Sequence, residues 1–248
     1  MKLQSTYLSC ITAIALSAPA FSAAIIFDNF NLDEGRFADA PNFSGTTVGE
    51  SASSTADRVT TDGPLEGEGH QRLVFVHDGS GTNMRIRFLS GRGSPANNLS
   101  FTTGPDVDGF IGFYLKTTAQ DFTVGINLDG AGNTIAEMDM GINLPVIGDG
   151  EWHLYEWDLD DVENSWETVT AIGGDGTLQD GSHTIDSIYF FSNQTGGSEQ
   201  AQPAIYFDFV AKSDSGSIAA LVPEPTSLSL LLCAGGGLFA SRRRKRAK

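Results

Sequence analysis

The sequence predicts an all-β fold, an antiparallel two-sheet sandwich of jelly-roll type, and three observations carry that expectation. Short runs rich in Phe, Val, Ile, Tyr and Thr recur along the middle of the chain, and these residue types fit a pleated, half-buried surface. Turn-forming clusters separate them, such as Asp78-Gly79-Ser80-Gly81, Asp129-Gly130-Ala131-Gly132 and Gly148-Asp149-Gly150; Gly admits φ > 0 and Asp bonds back to nearby amides. No long segment keeps a 3.6-residue apolar period, which argues against a helical or α/β domain.

Taken in order, the expected strands are 25–30, 71–77, 84–88, 109–117, 122–128, 135–142, 151–159, 186–192 and 204–212. Nine strands at this spacing suit two packed sheets. The stretch from Ala38 to Gly69 is polar and weakly patterned, and its Ser51-Ala52-Ser53-Ser54-Thr55 run reads as loop. A second long loop is expected from Thr195 to Pro203, and a small, polar spacer from Ser213 to Leu221. Alternation then assigns faces. Tyr155, Trp157 and Leu159 share a buried face, and Leu154, Glu156 and Asp158 the other; Trp152 is expected to begin the same packing cluster. Ile111, Phe113 and Leu115 repeat the pattern, as do Phe122, Val124, Ile126 and Leu128. Ile205, Phe207 and Phe209 are expected to point inward, with Tyr206 and Asp208 opposite.

Both ends of the chain read as targeting segments. Met1-Lys2 supplies a positive charge, Tyr7 to Leu16 a short apolar region, and residues 17–24 a cluster of small residues. This is a secretory signal peptide over residues 1–24, with cleavage after Ala20, Ser22 or Ala24; Cys10 falls inside it. At the other end, Val222-Pro223-Glu224-Pro225 precedes an apolar stretch over residues 226–241 and then Arg242, Arg243, Arg244, Lys245 and Arg246 in a basic tail, 242–248. The prolines fix φ and remove two donors, so an extended, accessible segment brackets one carboxylate. The apolar stretch suits a single transmembrane helix, shorter than the ~20 residues that span hydrocarbon comfortably, and the cations after it oppose translocation. The tail over residues 222–248 resembles the PEP-CTERM sorting signal of Gram-negative bacteria. That resemblance implies an exosortase-type processing enzyme as partner, transient residence in the inner membrane, and delivery to the cell surface or extracellular matrix. It also implies association with exopolysaccharide.

Between the two ends lies a domain expected over residues 25–212, with no thiol, because Cys10 and Cys233 are the two cysteines of the chain. Disulfides, Cys-ligated zinc and a cysteine nucleophile are therefore excluded. Trimming leaves eight cations against thirty acids between residues 25 and 221. Such a field repels nucleic acid and anionic membrane surfaces. Solubility outside a cell, or binding of divalent cations, fits better.

The order of segments resembles the galactose-binding-like β-sandwich carbohydrate-binding modules. The elements that carry this are Phe27-Asp28-Asn29-Phe30, Arg72-Leu73-Val74-Phe75, the strand from Gly109 to Lys116, the strand from Trp152 to Leu159, Ile185-Asp186-Ser187-Ile188-Tyr189-Phe190, and Ile205-Tyr206-Phe207-Asp208. The resemblance implies a structural calcium near the first and last strands, where Asp28 and Asp208 stand, with Glu66 or Glu68 completing the shell. The plainer alternative is that both aspartates accept backbone hydrogen bonds. Aromatic rings stack on the apolar faces of sugars, and Trp166, Tyr114 and Tyr206 are the expected exposed candidates for glycan contact; Trp157 and Tyr155 belong to the core. The fragment Glu137-Met138-Asp139-Met140 looks like the carboxylate strand of laminarinase-type glycosidases, but Gly141, Ile142 and Asn143 stand where a third carboxylate is required. His70, His77, His153 and His183 have no metal-ligand spacing, and no nucleophile elbow or phosphate loop occurs.

The expected function is that of a non-enzymatic, exported matrix protein whose sandwich binds carbohydrate. The alternative is a calcium-stabilised structural surface protein; a polysaccharide-active hydrolase ranks last. Replacing Pro223, Glu224 and Pro225 by alanine is expected to block C-terminal processing in the native host. Intact-mass measurement of the exported protein checks this, and an unchanged mature mass contradicts it.

Overall fold

Period-two alternation builds two layers whose apolar faces meet. A computed structural model of the chain describes residues 24–91, 99–104, 108–130, 138–161, 164–169 and 174–222. The expected signal peptide, the Pro-Glu-Pro motif, the apolar stretch and the basic tail lie outside these residues, apart from Ala24 and Val222. Among the described residues no helix is long and apolar enough to cross a membrane.

The first sheet contains β1 (Ala24–Asp28), β2 (Thr55–Val59), β3 (His70–Val74), β7 (Asp108–Thr117), β11 (Trp152–Asp158), β16 (Ile205–Ser213) and β17 (Ser215–Gly216). Its main path runs β11-β7-β16-β3-β2, with β1 against β16 and β17 against β7. The second sheet contains β5 (Met84–Leu89), β6 (Leu99–Thr103), β8 (Phe122–Asp129), β9 (Met138–Gly141), β10 (Leu144–Pro145), β12 (Trp166–Val169), β13 (Gly174–Asp175) and β14 (Gly181–Ser192). Its path runs β13-β12-β9-β8-β14-β5; β10 joins β8 and β6 joins β14. β4 (Val76–Asp78) and β15 (Glu199–Ala201) form a separate ribbon. Apart from the short β17–β7 pair, the strand pairings are antiparallel.

Rings from both sheets close the core. Phe207 of β16 packs at 5.1 Å from Phe113 and 6.4 Å from Phe88, and Phe75 packs at 5.0 Å from Phe190. Trp157 crosses the gap and donates its indole N–H to the carbonyl of Ile142 at 2.9 Å. Burying apolar surface of this size supplies most of the driving force for folding.

The structure corrects several expectations. Trp152 does not join the core: it pairs with Lys116 in register and shares the outward face of β11 with Leu154 and Glu156. Phe209 does not point inward with Phe207. A β-bulge interrupts the β16–β7 register between Asp208 and Ala211, and Phe209 takes a left-handed φ of 51°. One extra residue inverts the facing of the strand beyond it. Val210 therefore enters the main core, while Phe209 and Ala211 turn outward into a second apolar cluster with Ile218, Leu65, Phe110, Tyr114, Leu154, Leu221 and Val222. The expected spacer over 213–221 is ordered: it completes β16, adds β17, and ends in a 3-10 turn over Ile218–Leu221 seated on the first sheet.

Strand β2 lies within the stretch read as loop; it is an edge strand whose residues are exposed or half-buried, so it lacks clear alternation. Strand β6 alternates cleanly, with Leu99, Phe101 and Thr103 buried, yet so short a run carries little weight in a sequence. Trp166, expected on the surface, begins β12 at 4% exposure and donates its indole N–H to the carbonyl of Asp158 at 2.9 Å. It pairs across the sheet with Gly141. A Cβ on Gly141 would stand 2.6 Å from Trp157 Nε1 and 3.0 Å from Ile126 Cγ2. Gly141→Ala is therefore expected to cost about 1–3 kcal/mol through overpacking. Urea denaturation followed by tryptophan fluorescence measures this, and an unchanged midpoint contradicts it.

Candidate functional site

A sandwich offers two outer faces to a ligand, and here they differ. The outer face of the first sheet is partly covered by the chain itself. Asp208, fully buried, accepts the amide of Leu65 at 3.0 Å and that of Phe209 at 2.8 Å, which draws the 62–68 loop onto the sheet. Lys116 Nζ donates to the carbonyls of Asp62 and Gly63. The same ammonium lies 4.9 Å from the Trp152 ring and 5.0 Å from the Tyr206 ring, and Trp152 Nε1 donates to Gly63 O at 3.1 Å. Tyr206, one expected glycan contact, is thus spent on an internal cation–π contact. Tyr114, another, does point outward but packs edge-on against Phe209 at 6.5 Å in the second cluster. Its burial pushes the phenol upward from its ordinary value. Trp166, the third, is in the core.

The outer face of the second sheet presents a different surface. Register places its outward residues in three rows. Pro145, Thr123, Phe191 and Arg85 form the first. Gly125, Tyr189 and Arg87 form the second, with Asn143 beside Gly125. Glu167, Met140, Asn127 and Ser187 form the third. Phe191, Tyr189, Arg87, Met140 and Glu167 are half-buried and Arg85 is exposed. At the Thr123 end the face runs into a 390 Å³ cavity also lined by Asp121, Pro145, Asn193 and Gln194.

The polar groups of this face form two carboxylate-anchored relays. Asp186 receives Arg87 Nε at 2.8 Å and a second guanidinium N–H. It also accepts the Ser187 hydroxyl at 2.6 Å. Ser187 Oγ has then donated its proton and must accept, which it does from Asn127 Nδ2 at 3.1 Å. That order fixes the amide's orientation and leaves Asn127 Oδ1, just beneath the surface, without a donor. Glu167 acts in the same way on Asn143, accepting its backbone N–H at 3.2 Å and its Nδ2 at 3.4 Å. Asn143 Oδ1 is also left without a donor and lies 3.3 Å from where a Cβ of Gly125 would stand. Two cations and two aromatic rings therefore share one face, with two buried amide acceptors beneath it. Orphaned acceptors are costly and call for a donor such as a buried water.

None of these residues was singled out from sequence as a contact, although the signal was present. Ile188 and Phe190 point inward, so Tyr189 and Phe191 must point outward. Arg85 and Arg87 alternate in the same way with Ile86 and Phe88.

Asp28 and Asp208, expected to share a calcium ion, serve two different turns. Asp28 accepts the Phe30 amide at 2.8 Å, while Asp208 holds Leu65 and Phe209. Each accepts backbone N–H donors, as the plainer alternative has it, and among the described residues no group of three or more His, Cys, Asp or Glu side chains is placed to hold a metal.

No family model matches the chain, and no curated protein matches it. Among solved structures, a family 30 carbohydrate-binding module superposes at 12% identity, covering 79% of this chain and 89% of that one, with a TM-score of 0.46. The family 30 module of a cellulosomal cellulase of Clostridium thermocellum gives 11% identity, 77% and 97% coverage, and a TM-score of 0.43. The family 11 module of a second cellulosomal cellulase of that organism gives 15%, 68% and 85%, and 0.37. These TM-scores are low, and the sandwich assignment rests on the strand registers of this chain.

Burial sets the pH response of the fold. It pushes Asp28 up to about 6 and Glu50 and Asp208 up to about 7. Each binds its proton more tightly folded than unfolded, so its stability contribution is present at low pH and is lost as pH rises through these values. His70 works in the opposite sense: burial, then Lys116, push it down to about 4, and its contribution is lost as pH falls through that value. Three carboxyl groups outweigh one imidazole, so Tm is expected to be higher near pH 5 than near pH 7.5. Asp208→Asn is expected to flatten the difference. Calorimetry across this range checks the sign, and a Tm that falls from pH 7.5 to 5 contradicts it.

Proposed function

We propose that this chain is a non-catalytic carbohydrate-binding protein of the cell exterior, and that the outer face of the second sheet is its binding surface. The observation that carries the reading is the placement of Tyr189 and Phe191 beside Arg87 and Arg85 on one outer face of the sandwich. Aromatic rings take the apolar face of a pyranose. Arg87 and Arg85 add donors for ring and hydroxyl oxygens. The carboxylates nearby, Asp186 and Glu167, are engaged by Arg87, Ser187 and Asn143, a role of orientation rather than acid–base chemistry. A neutral, polyhydroxylated polymer fits this set better than an anionic one, since thirty acids against eight cations surround it.

The proposed setting follows from the two ends of the sequence. Export through the inner membrane, a membrane-anchored precursor, and processing by an exosortase-type enzyme would deliver the domain to the surface or to the extracellular polysaccharide.

Affinity electrophoresis through gels containing soluble neutral polysaccharides, including that of the host, tests the binding reading. Tyr189→Ala or Phe191→Ala is expected to weaken retention roughly tenfold, the equivalent of ~1.4 kcal/mol, while Tyr206→Ala leaves it in place. No retention on any polymer, or equal loss from Tyr206→Ala, would overturn the assignment.

A further inference from the structure

We infer that the C-terminal strap over residues 213–222 holds the domain close against the membrane with its ligand face turned outward, an orientation that rests on the membrane-anchor reading of residues 226–241. The strap is built into the first sheet. Ser215 and Gly216 extend it beside β7. Ser217 Oγ donates to Glu156 Oε2 at 2.9 Å, and the Ile218 amide donates to the same oxygen at 3.1 Å. Ser217 Oγ also accepts the Ala219 amide at 3.1 Å, capping the turn. Ile218 is fully buried, and Leu221 and Val222 pack on the cluster of Phe209, Tyr114 and Leu154.

The chain therefore leaves the domain at Val222 from the outer face of the first sheet, not from a free linker. The apolar stretch begins at Thr226. At ~3.5 Å per residue, the four steps from Val222 reach at most about 14 Å. A bilayer holding that stretch would lie within this distance of the strap. The two sheets pack face to face, so the rows around Tyr189 and Phe191 point to the opposite side. The strap sets this geometry against an unfavourable field, since an acidic domain is repelled by anionic headgroups. Polymer binding and membrane attachment thus use opposite surfaces and do not compete.

The test uses the full chain reconstituted in liposomes that carry a headgroup energy acceptor, with Cys10 and Cys233 replaced by serine. A donor dye is attached through Asp57→Cys, on the outer side of the first sheet, or through Thr102→Cys, on the outer side of the second. Flotation is read first: a chain that does not float with the liposomes overturns the anchor reading and the orientation with it. For a floating chain, transfer from position 57 is expected to exceed that from position 102 at least about twofold. Ile218→Asp with Leu221→Asp, which breaks the seat of the strap, is expected to remove the difference while flotation persists. Equal transfer from both positions in the unaltered strap would overturn the orientation and leave the anchor standing.

Discussion

The buried Asp208 carboxylate and the bulge it sits in govern how the two faces of this sandwich differ. By accepting the amides of Leu65 and Phe209, it stabilises a left-handed residue in the middle of the central strand. A Phe with φ > 0 is strained, and the hydrogen bonds to a desolvated carboxylate offset that strain. The consequence is an inversion of facing. Without the extra residue, Phe209 would lie inward with Phe207; with it, Phe209 and Ala211 give the first sheet an apolar patch on its outside. That patch seats both Leu65 of the 62–68 loop and Ile218 of the strap.

Once the first sheet is partly roofed in this way, its outward aromatic residues are half-buried and held by contacts within the chain. Trp152 and Tyr206 flank the Lys116 ammonium, His70 packs edge-on against both rings, and the loop carbonyls accept from the ammonium. The second sheet has no equivalent cover over its central rows among the described residues, and its polar groups are organised differently. The relay carboxylates, buried Asp186 and half-buried Glu167, are engaged by neighbouring donors, so the chemistry offered outward is aromatic and cationic. A single bulge thus gives the two outer faces of the sandwich different chemistry.

The period-two pattern made most of the fold legible from sequence. Strands such as β7, β8 and β11 alternate without interruption, and Phe113, Val124 and Trp157 lie where alternation places them. Misreadings cluster where alternation is broken or overridden. Phe209 failed because a bulge has no signature beyond Asp208 itself. Trp166 failed because a polar neighbourhood, Glu163-Asn164-Ser165 before it and Glu167 after it, hides an indole whose N–H finds a backbone carbonyl. Tyr114 and Tyr206 were placed outward correctly, but no local pattern foretells that a polar loop and a C-terminal turn will fold over them. The rows around Tyr189 were legible in principle, since they follow from the same parity that placed Ile188 and Phe190 inside. The relay from Arg87 to Asn127 was not, because it depends on which strands become neighbours.

Hydrogen exchange of the full chain, with and without a neutral polysaccharide that it retains, tests most directly whether recognition belongs to the second sheet alone. The account predicts slowed exchange in β5, β8 and β14, at Arg85 to Arg87, Thr123 to Asn127 and Ser187 to Phe191, with β7, β11 and β16 unchanged. Protection confined to β7, β11 and β16, or to the 62–68 loop, would contradict it.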